Sequence, residues 1–298
     1  MTTIDLSSPQ GPAAVGVRPR IKIDLRLVIF AVASVVILAL AACAVVPNLI
    51  APDDPLKQSL ANTLLAPGSI GSDGKYHLLG TDSLGRDVFS RLIYGARISL
   101  GVGLGGVIVS AAIGIPLGLI AGYRGGRFDA VLMRIVDGLL SFPSLVLYIF
   151  LTYTIGGGLI TLIIILSAVR WVTYVRVARS VTLTYRDIAF VEAARMIGCS
   201  DARIIFRHIL PNVFGPLSVL AALETATIIL VESSLSYLGL GVQPPTPSWG
   251  QMISDGSVYL SGSPWLIVFP GVMIFLATLS LNIVGREARR RFLDRGGN

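Results

Sequence analysis

The sequence predicts an all-α integral membrane protein of six transmembrane helices, with both termini on the cytoplasmic side. Three observations predict it. The 298 residues are 53% apolar and only 14% charged, with a mean hydropathy of +0.77, a balance that a water-soluble domain rarely reaches. Six apolar runs, each long enough for about 30 Å of helix, are separated by polar stretches. The cations border those runs unevenly. Of 24 Lys and Arg, 19 fall on alternate stretches that the positive-inside rule assigns to the cytoplasm, and five fall on one long outer segment. A net charge of +7 spread in this way leaves no compact basic domain for nucleic acid.

The elements follow in order. Residues 1–26 are a cytoplasmic tail, rich in Pro and Gly, with Arg18, Arg20, Lys22 and Arg26; its composition predicts disorder over the first ~15 residues. No cleavable signal peptide is expected, because the first apolar run follows 26 polar or mixed residues. Residues 27–97 combine the first span, Leu27 to Val46, with an extracytoplasmic segment that opens on Pro47. Within that segment Leu92, Ile93, Ala96 and Leu100 have the spacing of an amphipathic helix leading into the next span. Asp82 and Asp87 are placed to offset two of the outer arginines, Arg86, Arg91 and Arg97.

Residues 98–285 form a core of five helices. Span two, Ile98 to Tyr123, carries the small pairs Gly101/Gly105, Gly114/Gly118 and Gly118/Gly122, which let helices approach closely in lipid, and Pro116, a kink position. Gly101-x-Gly103-x-x-Gly106 also matches a dinucleotide-binding pattern, but no strand–turn–helix unit surrounds it. Span three runs from Ala130 to Ile155 with a kink at Pro143; Arg134 and Asp137 are spaced to pair on one face. Gly156 to Gly158 turn the chain outside. Span four is Leu159 to Val177 and contains Arg170. Span five is Phe214 to Leu240 and contains Glu224 and Glu232. Ionisable groups at that depth cost a few kcal/mol and face protein or water, so they form either a structural pair, such as Glu224 with Arg170, or part of a pathway or gate. The Pro-rich loop 241–263 lies outside, span six is Pro264 to Val284, and 286–298 is a basic cytoplasmic tail.

Between spans four and five lies a segment too polar to cross a bilayer. Phe190, Ala193, Ala194 and Ile197 make one apolar helical stripe, and Gly198 is suited to end that helix in a left-handed conformation. Ser200 or Asp201 then caps a second helix, with an apolar face of Ile204, Ile205 and Ile209, which Pro211 stops. Spacing alone leaves two readings, a helix pair resting on lipid headgroups or a docking element for a soluble partner.

Three stretches carry a resemblance. Glu192-Ala193-Ala194, Gly198 and Leu210-Pro211 resemble the EAA loop of ABC importer permeases, whose pattern is E-A-A-x3-G-x9-I-x-L-P; His208 stands where the pattern has Ile. Residues 77–100, HLLGTDSLGRDVFSRLIYGARISL, and the stretch QPPTPSWG resemble the dipeptide and oligopeptide branch of that family, in its second (C-type) permease subunit. The basic tail departs from the acidic ending common in the family. The resemblance implies the type I (MetI-like) importer permease fold in the cytoplasmic membrane of a prokaryote. It implies docking of an ATPase subunit through Glu192, Ala193, Ala194, Arg195, Gly198, Leu210 and Pro211 in the loop 190–212. It also implies three kinds of partner: a second homologous permease, one or two ABC ATPases that carry ATP and Mg, and an extracytoplasmic substrate-binding protein. Short peptides are the substrate it points to first, with nickel and glutathione as alternatives on the same branch.

The chain shows no chemistry of its own. The one Gly-Lys pair, Gly74-Lys75, lacks the rest of a phosphate-binding loop, so ATP hydrolysis belongs to a partner and no cofactor is expected here. His77 and His208 are isolated in sequence, and Cys43 and Cys199 form no disulfide framework. Two rival classes remain. A proton-driven transporter would use Arg170, Glu224 and Glu232, leaving the inner helix pair without a purpose. A membrane scaffold would need neither buried carboxylates nor so structured an outer segment.

Overall fold

A computed structural model of the protein describes residues 25–295. The expected N-terminal disorder and the cluster Arg18 to Lys22 lie outside them. Helix α1 (Leu25–Val45) leads to a short helix, α2 (Pro47–Ile50). An outer segment follows with a small antiparallel hairpin, β1 (Ser69–Ile70) and β2 (Tyr76–His77), in which Ser69 pairs with His77 and Ile70 with Tyr76. The all-α expectation thus misses one hairpin.

Helix α3 (Val88–Arg124) is unbroken through Pro116. The Asp87 carboxylate caps it, accepting from the Ser90 N–H at 2.8 Å. The predicted amphipathic lead and the second span are therefore one element. Its lead buries Leu92, Ile93 and Ala96, and the span packs along α6 (Leu159–Arg186). The glycines decide that packing. A Cβ on Gly114 would lie 2.5 Å from the Trp171 carbonyl, one on Gly118 2.5 Å from the Val175 carbonyl, and one on Gly122 2.7 Å from the Thr182 Cβ. Three turns of α3 thus touch the α6 backbone directly, the close approach that small residues allow in lipid. Gly101 stands in open space, so the outermost of the three predicted pairs does not pack in this way.

The third span differs from its prediction. It is two helices, α4 (Gly126–Leu140) and α5 (Ser144–Ile155), bent by 86° at residues 141–143. Pro143 has no N–H to give, and it disfavours helical geometry at Phe142. The charges complete the break. Arg127, Asp129, Arg134 and Asp137 all fall on α4, whereas α5 is uncharged. Asp137 does not pair with Arg134 as expected; it accepts from Arg176 Nη2 of α6 at 2.5 Å. Asp129 likewise accepts from Arg179 Nη2 at 2.6 Å. Among the described residues, five helices are long and apolar enough to cross a membrane, and the bent pair makes a sixth if it counts as one span.

After α7 (Ala189–Met196), the chain enters a single helical rod from Asp201 to Tyr237. It begins as α8 (Asp201–Arg203), passes through a π-helical stretch at Ile204–Ile209, and continues as α9 (Leu210–Tyr237). Pro211 therefore does not stop the second helix. The wider stretch hands the chain on with Leu210 N–H bonded to the Ile205 carbonyl, and Pro211 then sits in the first turn of α9, where an N–H is not needed. Two independently predicted elements, the loop helix and span five, are joined rigidly.

The outer loop holds an unpredicted helix, α10 (Trp249–Ser257), capped by the Ser248 hydroxyl. Trp249 is wholly buried and its indole N–H donates to the Leu92 carbonyl at 3.0 Å. Gly95 makes room for it, since a Cβ there would lie 2.9 Å from Trp249 Cδ1. Helix α11 (Trp265–Arg295) closes the fold against α9 and α1.

Candidate functional site

The segment between α6 and α9 is built by a glycine turn. Gly198 has φ +80° and ends α7 with two bonds, its own N–H to the Arg195 carbonyl at 3.0 Å and the Cys199 N–H to the Ala194 carbonyl at 3.0 Å. This is the double-bonded left-handed cap, and glycine adopts it without strain. Ser200 occupies the next capping position, but its side chain makes no cap bond. Asp201 instead meets the Tyr123 hydroxyl at 3.2 Å.

The predicted stripe turns out to face two ways. Val191 and Ala194 are buried against the helix ends. Phe190, Ala193 and Ile197 point away, and with Met196 they leave an apolar face in the open; Met196 and Ile197 are 83% and 81% exposed. Phe206, Arg203 and Arg207 continue that surface on the second helix. Glu192 is exposed beside it and has no ion-pair partner among the described residues. Leu210 is half-buried and Pro211 exposed where the rod turns into α9.

Arg195 is exposed, and its guanidinium turns back towards α3. Its guanidinium lies 5.1 Å from the centre of the Tyr123 ring, and its Nε donates to the Tyr123 hydroxyl at 3.2 Å, a bond that raises the guanidinium above its ordinary value. Tyr123, which the sequence did not single out, thus holds both α7 and α8 to the C-terminal end of α3. Its place one residue before Arg124, at the boundary of an apolar run, is the kind of interfacial aromatic that could have been flagged.

Within the spans, Arg170 Nε of α6 lies 3.1 Å from Glu224 Oε2 of α9. The hydroxyls of Tyr148 and Tyr174 are buried nearby without partners among the described residues. Glu232 is elsewhere and quite different. It is fully buried and accepts from the hydroxyls of Ser236 at 2.7 Å, Ser99 at 3.1 Å and Ser233 at 3.4 Å. Ser99 Oγ in turn faces the Trp249 N–H at 3.5 Å. Glu232 therefore joins α3, α9 and the outer loop. Its spacing to Ser236 (i, i+4) carried that signal.

The outer segment is knitted by charge. Asp82 accepts from Arg86 Nε at 2.7 Å and from Arg91, and Asp255 of α10 lies 3.5 Å from Arg91 Nη2. Asp82 thus answers both arginines, with Asp255 at 3.5–4.0 Å as a more distant second carboxylate, while Asp87 turns to His77, whose Nδ1 is 3.0 Å away. His77 is therefore not isolated. In the hairpin the Lys75 backbone N–H holds the Asp73 carboxyl below its ordinary value, and Lys75 is raised by its bond to Asp53. A cleft of about 670 Å³ opens beside this segment, lined by Asp53, Tyr94 and Pro247 among others. Among the described residues no group of three or more His, Cys, Asp or Glu is gathered to hold a metal ion.

Comparison with known proteins places this geometry. Residues 114–293, the part that contains α4 to α11, match the family described as binding-protein-dependent transport system inner membrane component. The chain belongs to that family. It is a permease component of an ABC transport system in the inner membrane, and not the part that hydrolyses ATP. Relatives agree over most of the chain. The di/tripeptide transport system permease protein DppC of Pseudomonas aeruginosa is 40% identical over 83% of this chain and 82% of its own. The oligopeptide transport system permease protein OppC of Haemophilus influenzae is 42% identical over 72% of this chain and 69% of its own. Among solved structures, the MetNI methionine ABC transporter matches with a TM-score of 0.53 at 19% identity, over 66% of this chain and 96% of that one, a likeness of fold.

Proposed function

We propose that this permease forms one membrane half of an ATP-driven importer of short peptides, with both termini in the cytoplasm. It pairs with a second, similar permease. One or two ATPase subunits grip the segment from Ala189 to Asn212, and an extracytoplasmic binding protein delivers the peptide to the outer segment and α10. The names of the relatives, which are di/tripeptide and oligopeptide permeases, support the substrate class.

The observation that carries the docking reading is the open apolar face of Phe190, Ala193, Met196 and Ile197, flanked by exposed Glu192 and Arg203. A segment meant only to rest on lipid would not be fixed by a glycine cap, a π-helical handover and two contacts to Tyr123. A partner's cleft needs a knob of fixed shape. Closure of the ATPases then displaces this knob. The rod that begins at Asp201 conducts the displacement into α9, and α6 receives it at Arg186. Alternating access of the cavity between two permeases follows from such rigid-body rocking.

The experiment is to purify this chain from its native membrane with its partners, and to identify by mass spectrometry the ligand carried by the co-purified binding protein. Recovery of an ABC ATPase and of bound di- or oligopeptides is expected. An intact assembly without a nucleotide-hydrolysing subunit would overturn the reading, and a non-peptide ligand would overturn the substrate class.

A further inference from the structure

Helices α6 and α9 leave the exposed segment at its two ends, so any displacement of that segment reaches both. They are poorly joined to each other. Helix α3 packs along α6 with its glycine-lined face and along α9 with another, while α6 and α9 touch each other over little of their length. Two arms in this position can shift separately, and a push at their inner ends would then be lost as relative sliding.

A tie is present at the depth where it acts on both. Arg170 lies 16 residues before Arg186, or ~24 Å of helix above the inner end of α6. Glu224 lies 14 residues beyond Leu210, or ~21 Å along α9. At these similar heights the two side chains approach to 3.1 Å as an ion pair, though Arg170 Nε and Glu224 Oε2 are not aligned for a hydrogen bond. An ion pair surrounded by hydrocarbon is much stronger than one in water, and separating it leaves two unpaired charges in a medium that solvates neither. The larger cavities lie on the outer part of the molecule, and neither residue lines them. The buried Tyr148 and Tyr174 hydroxyls lie nearby but make no hydrogen bond to either member of the pair among the described residues.

We propose that Arg170 and Glu224 clamp α6 to α9, so that the two arms move as one body and displacement of the docking segment becomes peptide movement rather than idle ATP hydrolysis. They are positioning residues for transport, and this inference rests on the docking reading given above.

The test uses the complete complex, with both permeases, the ATPases and the binding protein, in proteoliposomes with a labelled tripeptide. Arg170→Gln and Glu224→Gln are each expected to lower the peptide imported per ATP hydrolysed about tenfold while hydrolysis continues. The charge-swapped R170E/E224R protein is expected to regain most of that ratio. An unchanged ratio in the single variants, or an assembled swap that stays as uncoupled as they are, overturns the clamp. A second measurement needs no change to the pair. Spin labels at the exposed positions Thr184 and Phe214, near the inner ends of α6 and α9, should keep one separation with and without trapped nucleotide. A change of about one helical turn, ~5.4 Å, overturns the clamp even if no pair variant assembles. Failure of the wild-type complex to hydrolyse ATP or import peptide would sink the functional reading itself, so the two failures are distinct.

Discussion

Gly198 offers a direct measure of how much the docking knob depends on its shape. Its φ of +80° is a conformation that L side chains rarely adopt, and a Cβ placed there meets nothing within 4 Å. Gly198→Val therefore adds no clash and tests the backbone alone. Holding an L residue left-handed costs roughly 1–2 kcal/mol, and a β-branched one stands at the unfavourable end. At 1.4 kcal/mol per factor of ten, the turn that presents Met196 and Ile197 becomes about 5- to 30-fold less populated against its relaxed alternatives. Uptake per ATP hydrolysed in proteoliposomes should fall, by up to that factor, while the amount of assembled complex changes little. Gly198→Asn is the control, because Asn tolerates the left-handed region, and it should stay near wild type. Equal uptake per ATP in the Val and wild-type proteins would refute the argument. So would an Asn protein as impaired as the Val one, since backbone strain would then not be the cause.

Other expectations follow from the packing and the charges. Gly118→Leu places its Cβ 2.5 Å from the Val175 carbonyl and 2.8 Å from the Ala178 Cβ, so α3 and α6 cannot close; size-exclusion of the detergent-solubilised chain should show misassembled protein, and an unaltered profile would count against the packing. Trp249→Ala empties a fully buried site and removes the bond to Leu92, a loss of about 3–5 kcal/mol that thermal unfolding in detergent should register. Asp82→Asn removes the nearest carboxylate from Arg86 and Arg91, which keep only the more distant Asp255, and should cost up to about 3–5 kcal/mol, read as release of the outer segment to protease. The hairpin has a pH window set by two opposite shifts. Asp73 is lowered, so its contribution is full above the ordinary carboxylate range and is lost as pH falls through it; Lys75 is raised, so its contribution is full below the ordinary amine range and is lost as pH rises. The protection of the Lys75 amide, its exchange relative to an unstructured peptide at the same pH, should therefore be greatest between those limits, and weaker protection at neutral pH than in acid would contradict it.

Much of the fold was legible because the bilayer imposes a one-dimensional rule. Apolar length and the placement of arginine mark the membrane-spanning helices without knowledge of contacts. Gly198 was legible as well, since a local backbone need selects its residue type. Residues 141–143 mark where the reading fell short. A proline in an apolar run marks a bend, but whether the chain kinks or folds back by 86° depends on what α4 rests on, and Asp129 and Asp137 find Arg179 and Arg176 only across the fold. Pro211 failed in the opposite sense. Its missing N–H reads as a stop, yet a π-helical stretch absorbs it and the rod continues.

The sequence by itself determined the membrane class, the number of apolar runs, the glycine faces available for close packing, and the hinge in the loop between α6 and α9. These depend on hydropathy, charge and local backbone freedom, all of which a residue carries wherever it sits. The tertiary structure alone decided that Val191 and Ala194 face in while Met196 and Ile197 face out, that Arg195 is held on Tyr123, that Arg170 meets Glu224, and that Glu232 rests among serines from α3 and α9. Each of those depends on which distant helix comes alongside. That choice is made by shape and by burial of charge between segments, and no local pattern records it.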